Sequence, residues 1–351
     1  MRLWIAIFLL LTWSAPSIAR AQSYTAAADI LFYGDNTEFT NPFREGETVL
    51  GTSGRLFLDV TLNETVVLRG GFFGLGRYGS HEFLEHAEPV IALVLSRGAS
   101  RFLFGSLETV AFRPDVIGPD YETPHGLLPP LQRETLAFTR GQEMGLQWLV
   151  AADRIEHDAW INWQRLNTPS HRERFDAGYR GAVKLAPSMR LHTQWHVVHE
   201  GGQQFGNGAV GESQGIAVGL EWSHRVGAAR IVLDGHPVVT HHVPDRALDS
   251  SETGLGIFGR GALERGPWRG HVIVWRSRDT LKAEGDANYL AERLDGSMYR
   301  KVRDYGEIGI TRHFRPAPGV HLFASARLHR VESSLEYSYR IVGRVRLRHP
   351  F

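Results

Sequence analysis

From Tyr24 onward, side-chain polarity alternates with a period of two in runs of about ten residues, and a sustained helical period is almost absent. In Met189 to Val198, Met189, Leu191, Thr193, Trp195 and Val197 share one face, and Arg190, His192, Gln194 and His196 share the other. Phe175 to Leu185 and Val320 to His329 repeat the pattern, the latter setting Val320, Leu322, Ala324, Ala326 and Leu328 against His321, Ser325, Arg327 and His329. Each segment is a strand with one apolar and one wet face. In a soluble sandwich the apolar face looks inward to a core, and in a membrane barrel it looks outward to lipid.

Connection lengths separate the two architectures. Short joints fall at Asn63-Glu64, Arg97 to Ser100, Ala152 to Arg154, Ala186 to Ser188, Arg225 to Ala228, Glu264 to Pro267 and Arg315 to Gly319. Between them lie longer polar joints at Asp35 to Glu45, Arg77 to His86, Ala111 to Gly141, Asn167 to Arg174, Gly201 to Gln214, His241 to Glu252 and Asp279 to Val302, with a brief one near Val331 to Ser334. Alternating tight turns and long loops are the mark of an up-and-down barrel, and the segments number about sixteen, within two either way. Trp148, Trp163, Trp195, Trp222, Tyr179 and Tyr339 fall on apolar faces, as interfacial girdles require. The predicted fold class is all-β, a transmembrane up-and-down antiparallel β-barrel.

Export is written at the N-terminus. Arg2, the apolar run Leu3 to Leu11 and Ala19-Arg20-Ala21 read as a secretory signal peptide over 1–21, which leaves 22–351 as a single barrel domain. The apolar run is shorter than the roughly 18 residues a spanning helix needs. With no cysteine, the chain has neither a disulfide framework nor a thiolate metal site, and a net charge of +1 argues against nucleic acid as a partner.

Counting back in twos from Phe351 gives Leu347, Val345, Gly343, Ile341, Tyr339 and Tyr337 on one face. This resembles the terminal strand of bacterial outer-membrane β-barrels of the porin-like type, although His349 and Pro350 depart from the usual ending. The resemblance implies an outer-membrane location, contact with outer-membrane lipid and lipopolysaccharide, recognition of Phe351 by the barrel-assembly machinery, and a homotrimer as one candidate assembly. It also implies that the third long loop, 111–141, folds inward as a constriction carrying Asp115, Asp120 and Glu122. That loop lacks the Pro-Glu-Phe-Gly-Gly signature of general diffusion porins, so its role is carried over by position alone.

Opposite an acidic constriction one expects basic residues on the lumen face, and Arg340, Arg344, Arg346 and Arg348 make such a ladder on the last strand, joined by Arg69 and Arg190. Carboxylates such as Asp29, Asp158, Asp176 and Glu307 share the predicted inner face, so the expected anion preference is modest.

Enzyme patterns are weak. Gly74-Leu75-Gly76-Arg77-Tyr78-Gly79 has no helix after it to receive a pyrophosphate, and Gly211-Glu212-Ser213-Gln214-Gly215 leads from loop into strand instead of strand into helix. His81, Glu82 and His86 miss zinc-protease spacing by one residue, and His236, His241 and His242 show no fixed relation to carboxylates. The expectation is therefore a channel for passive diffusion of small hydrophilic or anionic solutes, with no catalytic residues, cofactor or metal. Two alternatives stand beside it. One is an exporter or docking barrel for an anionic exopolysaccharide; the other is a lipase- or esterase-like barrel using Ser213 or another serine with a histidine.

Overall fold

The computed structural model describes residues 23–112, 123–206 and 208–351. The expected signal peptide at 1–21 and the loop carboxylates Asp115, Asp120 and Glu122 lie outside the described residues. The first half of the barrel comprises β1 (Ser23–Thr40), β2 (Glu45–Asn63), β3 (Val66–Arg77), β4 (His86–Arg97), β5 (Ser100–Ser106), β6 (Met144–Ala151), β7 (Ile155–Arg165) and β8 (Glu173–Ala186). The second half comprises β9 (Met189–Gly201), β10 (Gly211–Val226), β11 (Ala229–Val243), β12 (Glu252–Arg265), β13 (Trp268–Arg278), β14 (Arg303–Ala317), β15 (Val320–Val331) and β16 (Ser334–Pro350).

Each strand pairs antiparallel with its sequence neighbours, and β1 closes the barrel on β16 from Thr25↔Pro350 to Glu38↔Tyr337. The sixteen strands and every expected short joint agree with the sequence reading. The turns are tight enough to need left-handed backbone: Gly227 and Gly266 both sit at φ 58°, where a Cβ would be strained. The first long joint is shorter than expected, because β1 runs to Thr40. Polar residues that read as loop, such as Asp35, instead line the inner wall, where Arg340 donates Nε–H and Nη2–H to the two Asp35 carboxylate oxygens, each at 3.0 Å.

Outward positions carry the exposed apolar side chains, among them Val272 and Val274 on β13, Ile308 and Ile310 on β14, and Tyr337, Tyr339 and Ile341 on β16. Trp148, Trp163, Trp195 and Trp222 are exposed on the same outer surface. No helix among the described residues is long and apolar enough to cross a membrane.

The inner wall is not uniformly wet. Two connections, 107–143 and 279–302, bring buried segments into the barrel, with α1 (Leu136–Thr139) in the first and a 3₁₀ turn, Ala287–Tyr289, in the second. Leu127, Leu128 and Leu131 are fully buried in one cluster with Trp160, Phe258, Ile273, Trp275 and Tyr289. The two loops also bond each other, Arg133 N–H to Glu284 O at 2.7 Å and Asp286 N–H to Pro129 O at 2.9 Å. They act as one plug.

This packing predicts that deleting residues 124–142 raises single-channel conductance in a planar bilayer several-fold while the barrel keeps its heat-modifiable gel mobility. Unchanged conductance would show that the loop does not obstruct the lumen.

Candidate active site

Alternation along β14, β15 and β16 turns Glu307, His329 and Ser338 inward, and the register brings them together. Glu307 stands directly opposite His329, and Ser338, whose direct partner is Arg327, is the diagonal neighbour of His329. The Ser338 hydroxyl lies 2.8 Å from His329 Nε2. On the other side of the ring, His329 Nδ1 is 2.8 Å from the Tyr305 hydroxyl and 3.4 Å from Glu307 Oε2. Tyr305 donates to Glu307 Oε2 at 2.6 Å, and His271 Nε2 holds the other carboxylate oxygen at 2.7 Å.

The network selects a tautomer. With the Tyr305 proton given to Glu307, its oxygen accepts from His329 Nδ1–H, which leaves Nε2 to accept the Ser338 proton. Nucleophile, base and orienting acid thus stand in the relation that activates a serine for acyl transfer. All three are buried.

They border a cavity of about 30 Å³, room for a water or two, enclosed by Phe39 and Arg44 beside the first long connection, Pro129 and Glu134 of the third, and Asp286 and Tyr289 of the seventh. Its arginines are matched. Arg44 pairs with Asp286 at 2.7 Å, Arg327 with Glu134 at 2.8 Å, and Arg340 with both Asp35 and Glu134 at 3.0 and 2.9 Å. Glu134 belongs to the loop just before α1, so the plug itself occupies the two guanidinium groups nearest Ser338.

A second buried cluster joins the plug to β7, β8 and β9. Ligand atoms of Asp176, His196 and Glu284 lie within 4.8 Å of one another, a spacing that would suit a metal ion. Arg140 meets both carboxylates there, at 3.4 Å from Asp176 and 2.5 Å from Glu284, and also pairs with Glu143 at 2.8 Å. Asp176 further accepts from Asn162, Gln164 and Trp160. This geometry is that of a latch. Beside it His125 bridges Glu143 and Asp158 at 2.7 and 3.1 Å and stacks on Trp160. Burial disfavours its charge, but the two carboxylates outweigh that and hold the imidazolium up to about 9.

The arginines singled out in the sequence are placed as follows. Arg69 is bidentate to Asp59 and reaches Glu108 at 3.1 Å. Arg190 meets Glu156 at 3.4 Å near the short-turn rim. Arg346 and Arg348 converge on Asp29 at 3.0 and 2.7 Å, Arg346 also donating to Phe112 O, and Arg344 faces the Phe323 ring at 6.0 Å. Phe351 is exposed, and its N–H bonds Tyr24 O at 2.9 Å. Ser213 accepts the Ala283 N–H at 2.8 Å, so its hydroxyl anchors the seventh loop. Alternation alone places His329 and Glu307 on the inner face; the diagonal from β15 to β16 that brings Ser338 to His329 is not legible without register.

Fold and site together define a closed β-barrel of the outer-membrane kind with a Ser-His-Glu constellation inside. Among solved structures, the chain is similar to the loop L8 deletion mutant of OmpT, an outer membrane protein of Vibrio cholerae, with a TM-score of 0.58, 11% identity and coverage of 92% of this chain and 99% of that one. The trimer form of OmpT gives 0.55, 10%, 92% and 99%, and Pseudomonas aeruginosa OpdL gives 0.53, 10%, 93% and 99%. No curated protein matches the sequence. The model of the lipid A 3'-O-deacylase-type family matches residues 17–348, and the chain belongs to that family. The expectation that the chain is not an enzyme is thereby corrected. The sequence offered no local motif for an enzyme, whereas Glu307, His329 and Ser338 lie on three strands and meet only through register.

The His125 bridge has a pH signature. Its folded value of about 9 exceeds the ordinary 6.5, so its contribution to plug docking is complete below about pH 6.5 and is lost as pH rises through about 9. Hydrogen exchange of residues 123–136 should accelerate between pH 7 and 9.5, after correction for intrinsic rates, and should not in H125Q. Equal profiles would remove the bridge from the docking energetics.

Proposed function

We propose that the protein is an outer-membrane carboxylester hydrolase that removes an acyl chain from an acylated glycolipid. Ser338 is the nucleophile, His329 the general base and then acid, and Glu307 with Tyr305 orients the imidazole. The observation that carries this reading is the 2.8 Å contact of Ser338 Oγ with His329 Nε2, backed by Tyr305 and Glu307. Family membership supports the same class of chemistry and, by the family's description, the ester at the 3'-oxygen of lipid A.

In the first step Ser338 Oγ attacks the ester carbonyl and its proton passes to His329 Nε2. The bond from the acyl carbon to the sugar oxygen then breaks, and the leaving alkoxide takes that proton. Water, deprotonated by the same nitrogen, releases the fatty acid and restores the serine. A carbonyl enters the 30 Å³ cavity only when the third loop shifts. That shift also carries Glu134 away from Arg327 and Arg340, which frees their donors for the developing oxyanion.

A second reading, passage of small hydrophilic or anionic solutes along the inner arginines, draws on the likeness to outer-membrane barrels. The ion pairs at Arg69, Arg340, Arg346 and Arg348 leave little surplus charge for sorting anions.

The test is deacylation of lipid A in proteoliposomes, read by mass spectrometry as loss of one acyl chain. S338A and H329Q should each lower the rate by about a thousandfold or more, and E307Q by about tenfold to a hundredfold, with unchanged heat-modifiability. Activity of S338A within about tenfold of the wild type would refute the assignment.

A further inference from the structure

With the third loop in place every arginine bordering the cavity is paired, and the donors that its shift releases face the oxyanion, so an anionic headgroup is held elsewhere. The charge stands on the outside of the same wall. On β13, Arg276 and Arg278 follow Val272 and Val274 on the outer face and are 72% and 70% exposed, and on β15 the exposed Arg330 follows Leu328. Arg276 is opposite Asp304 and Arg330 is opposite Gly306, so both sit at nearly one height, just beyond the apolar belt on the long-loop side. The span between them is two strand spacings, roughly 10 Å, and that from Arg276 to Arg278 is roughly 7 Å.

Arg300 and Lys301 are exposed nearby. The carboxylates facing these arginines are Asp304, Asp279, Glu252 and Glu332, the last held by the buried Arg303 at 2.5 Å. Arg276 approaches Asp304 only to 3.7 Å and Arg278 approaches Asp279 to 3.4 Å, while Arg300 is bidentate to Glu252 at 2.6 and 2.9 Å. Arg330 donates Nε–H to Glu332 O at 3.1 Å, one of the five donors a guanidinium carries. Cations outnumber carboxylates here, whereas the adjacent outer rim on β1 and β2 presents Glu38, Glu45 and Glu47.

Below the arginines the wall offers a place for chains. On the outer face Ala326 and Ala324 of β15 lie between Ile310 and Arg312 of β14 and Tyr339 and Ile341 of β16. The small side chains leave a shallow trough between larger ones, running toward the short-turn rim. Above the trough, β15 and β16 are joined by residues 332–333, the shortest connection on the long-loop rim, so little chain stands over the wall there. Ser338 is four residues below the start of β16, a drop of roughly 13 Å on the inner side.

We infer that Arg276, Arg278 and Arg330 dock the phosphate groups of an outer-leaflet glycolipid on the outer wall, beside the short β15–β16 turn over which an acyl ester reaches Ser338. The inference rests on the hydrolase reading for its purpose, but the binding it describes stands without catalysis. Guanidinium groups at that height match a phosphorylated sugar headgroup by bidentate bonds, and an uncharged headgroup would gain nothing from them.

The experiment measures lipid retained by the full-length barrel in native mass spectrometry, with lipid A, dephosphorylated lipid A and phosphatidylglycerol as probes. Wild type and S338A should bind lipid A equally. R276Q/R278Q/R330Q should bind it about tenfold more weakly, and the charge-preserving triple lysine variant should recover most of the loss. Dephosphorylated lipid A should bind weakly to all of them. Heat-modifiability reports folding, and if the triple variant misfolds, R278Q/R330Q makes the same comparison. Undiminished lipid A binding by the glutamine variant overturns the site, as does equal retention of the dephosphorylated form, or phosphatidylglycerol competing as well as lipid A. Deacylation by S338A would instead overturn the catalytic assignment and leave the docking result intact.

Discussion

Backbone hydrogen bonding in a medium without water is the constraint on which the rest of this structure depends. Hydrocarbon satisfies neither N–H nor C=O, so a sheet survives in it only by closing on itself. Here the closure is the long β1 to β16 ladder, which begins beside Thr25 and ends beside Glu38. The side-chain alternation follows from it, because once the ring is closed each strand has a lipid face and a lumen face. Inner residues of neighbouring strands are then held a fixed distance apart, and this rigidity lets three side chains from three strands make a hydrogen-bonded chain.

The interior carries two kinds of order. Leu127, Leu128 and Leu131 dock against inward aromatic side chains, giving the plug an apolar anchor inside a barrel whose wall is largely polar. Arg140, Glu143, Asp176 and Glu284 then fix its orientation through charges that burial makes costly to leave unpaired. Glu134 belongs to the same plug and caps Arg327 and Arg340, so the position of the loop and the electrostatics beside Ser338 are one variable. A family named for chemistry on lipid A therefore appears here on a barrel whose buried Ser-His-Glu constellation is covered by its own loop.

The outer wall answers the geometric question this raises. The strands that hold the Ser-His-Glu constellation on their inner faces overlap with those that hold the exposed arginines on their outer faces, and His329 and Arg330 are adjacent in sequence. A β-strand turns consecutive residues to opposite sides, so a single stretch of β15 serves both lumen and lipid.

Much of the fold was legible in the sequence because a barrel's signals are local. Period-two alternation marks each strand, and turn length marks each rim, so about sixteen strands and every tight turn are legible from neighbouring residues alone. Asp35 shows the limit: a polar stretch reads as loop until its partner Arg340, from the far end of the chain, shows it to be inner wall. The inward orientation of Glu307, His329 and Ser338 was also local, but their meeting was not. It depends on which residue of β15 stands opposite which of β14 and β16, and on a plug whose leucines carry no sequence mark of entering a lumen. By itself the sequence determined an alternating, closed, lipid-facing barrel; only the tertiary structure decided that its interior is packed and holds a serine against a histidine, because register and loop docking are set by contacts between residues far apart in the chain.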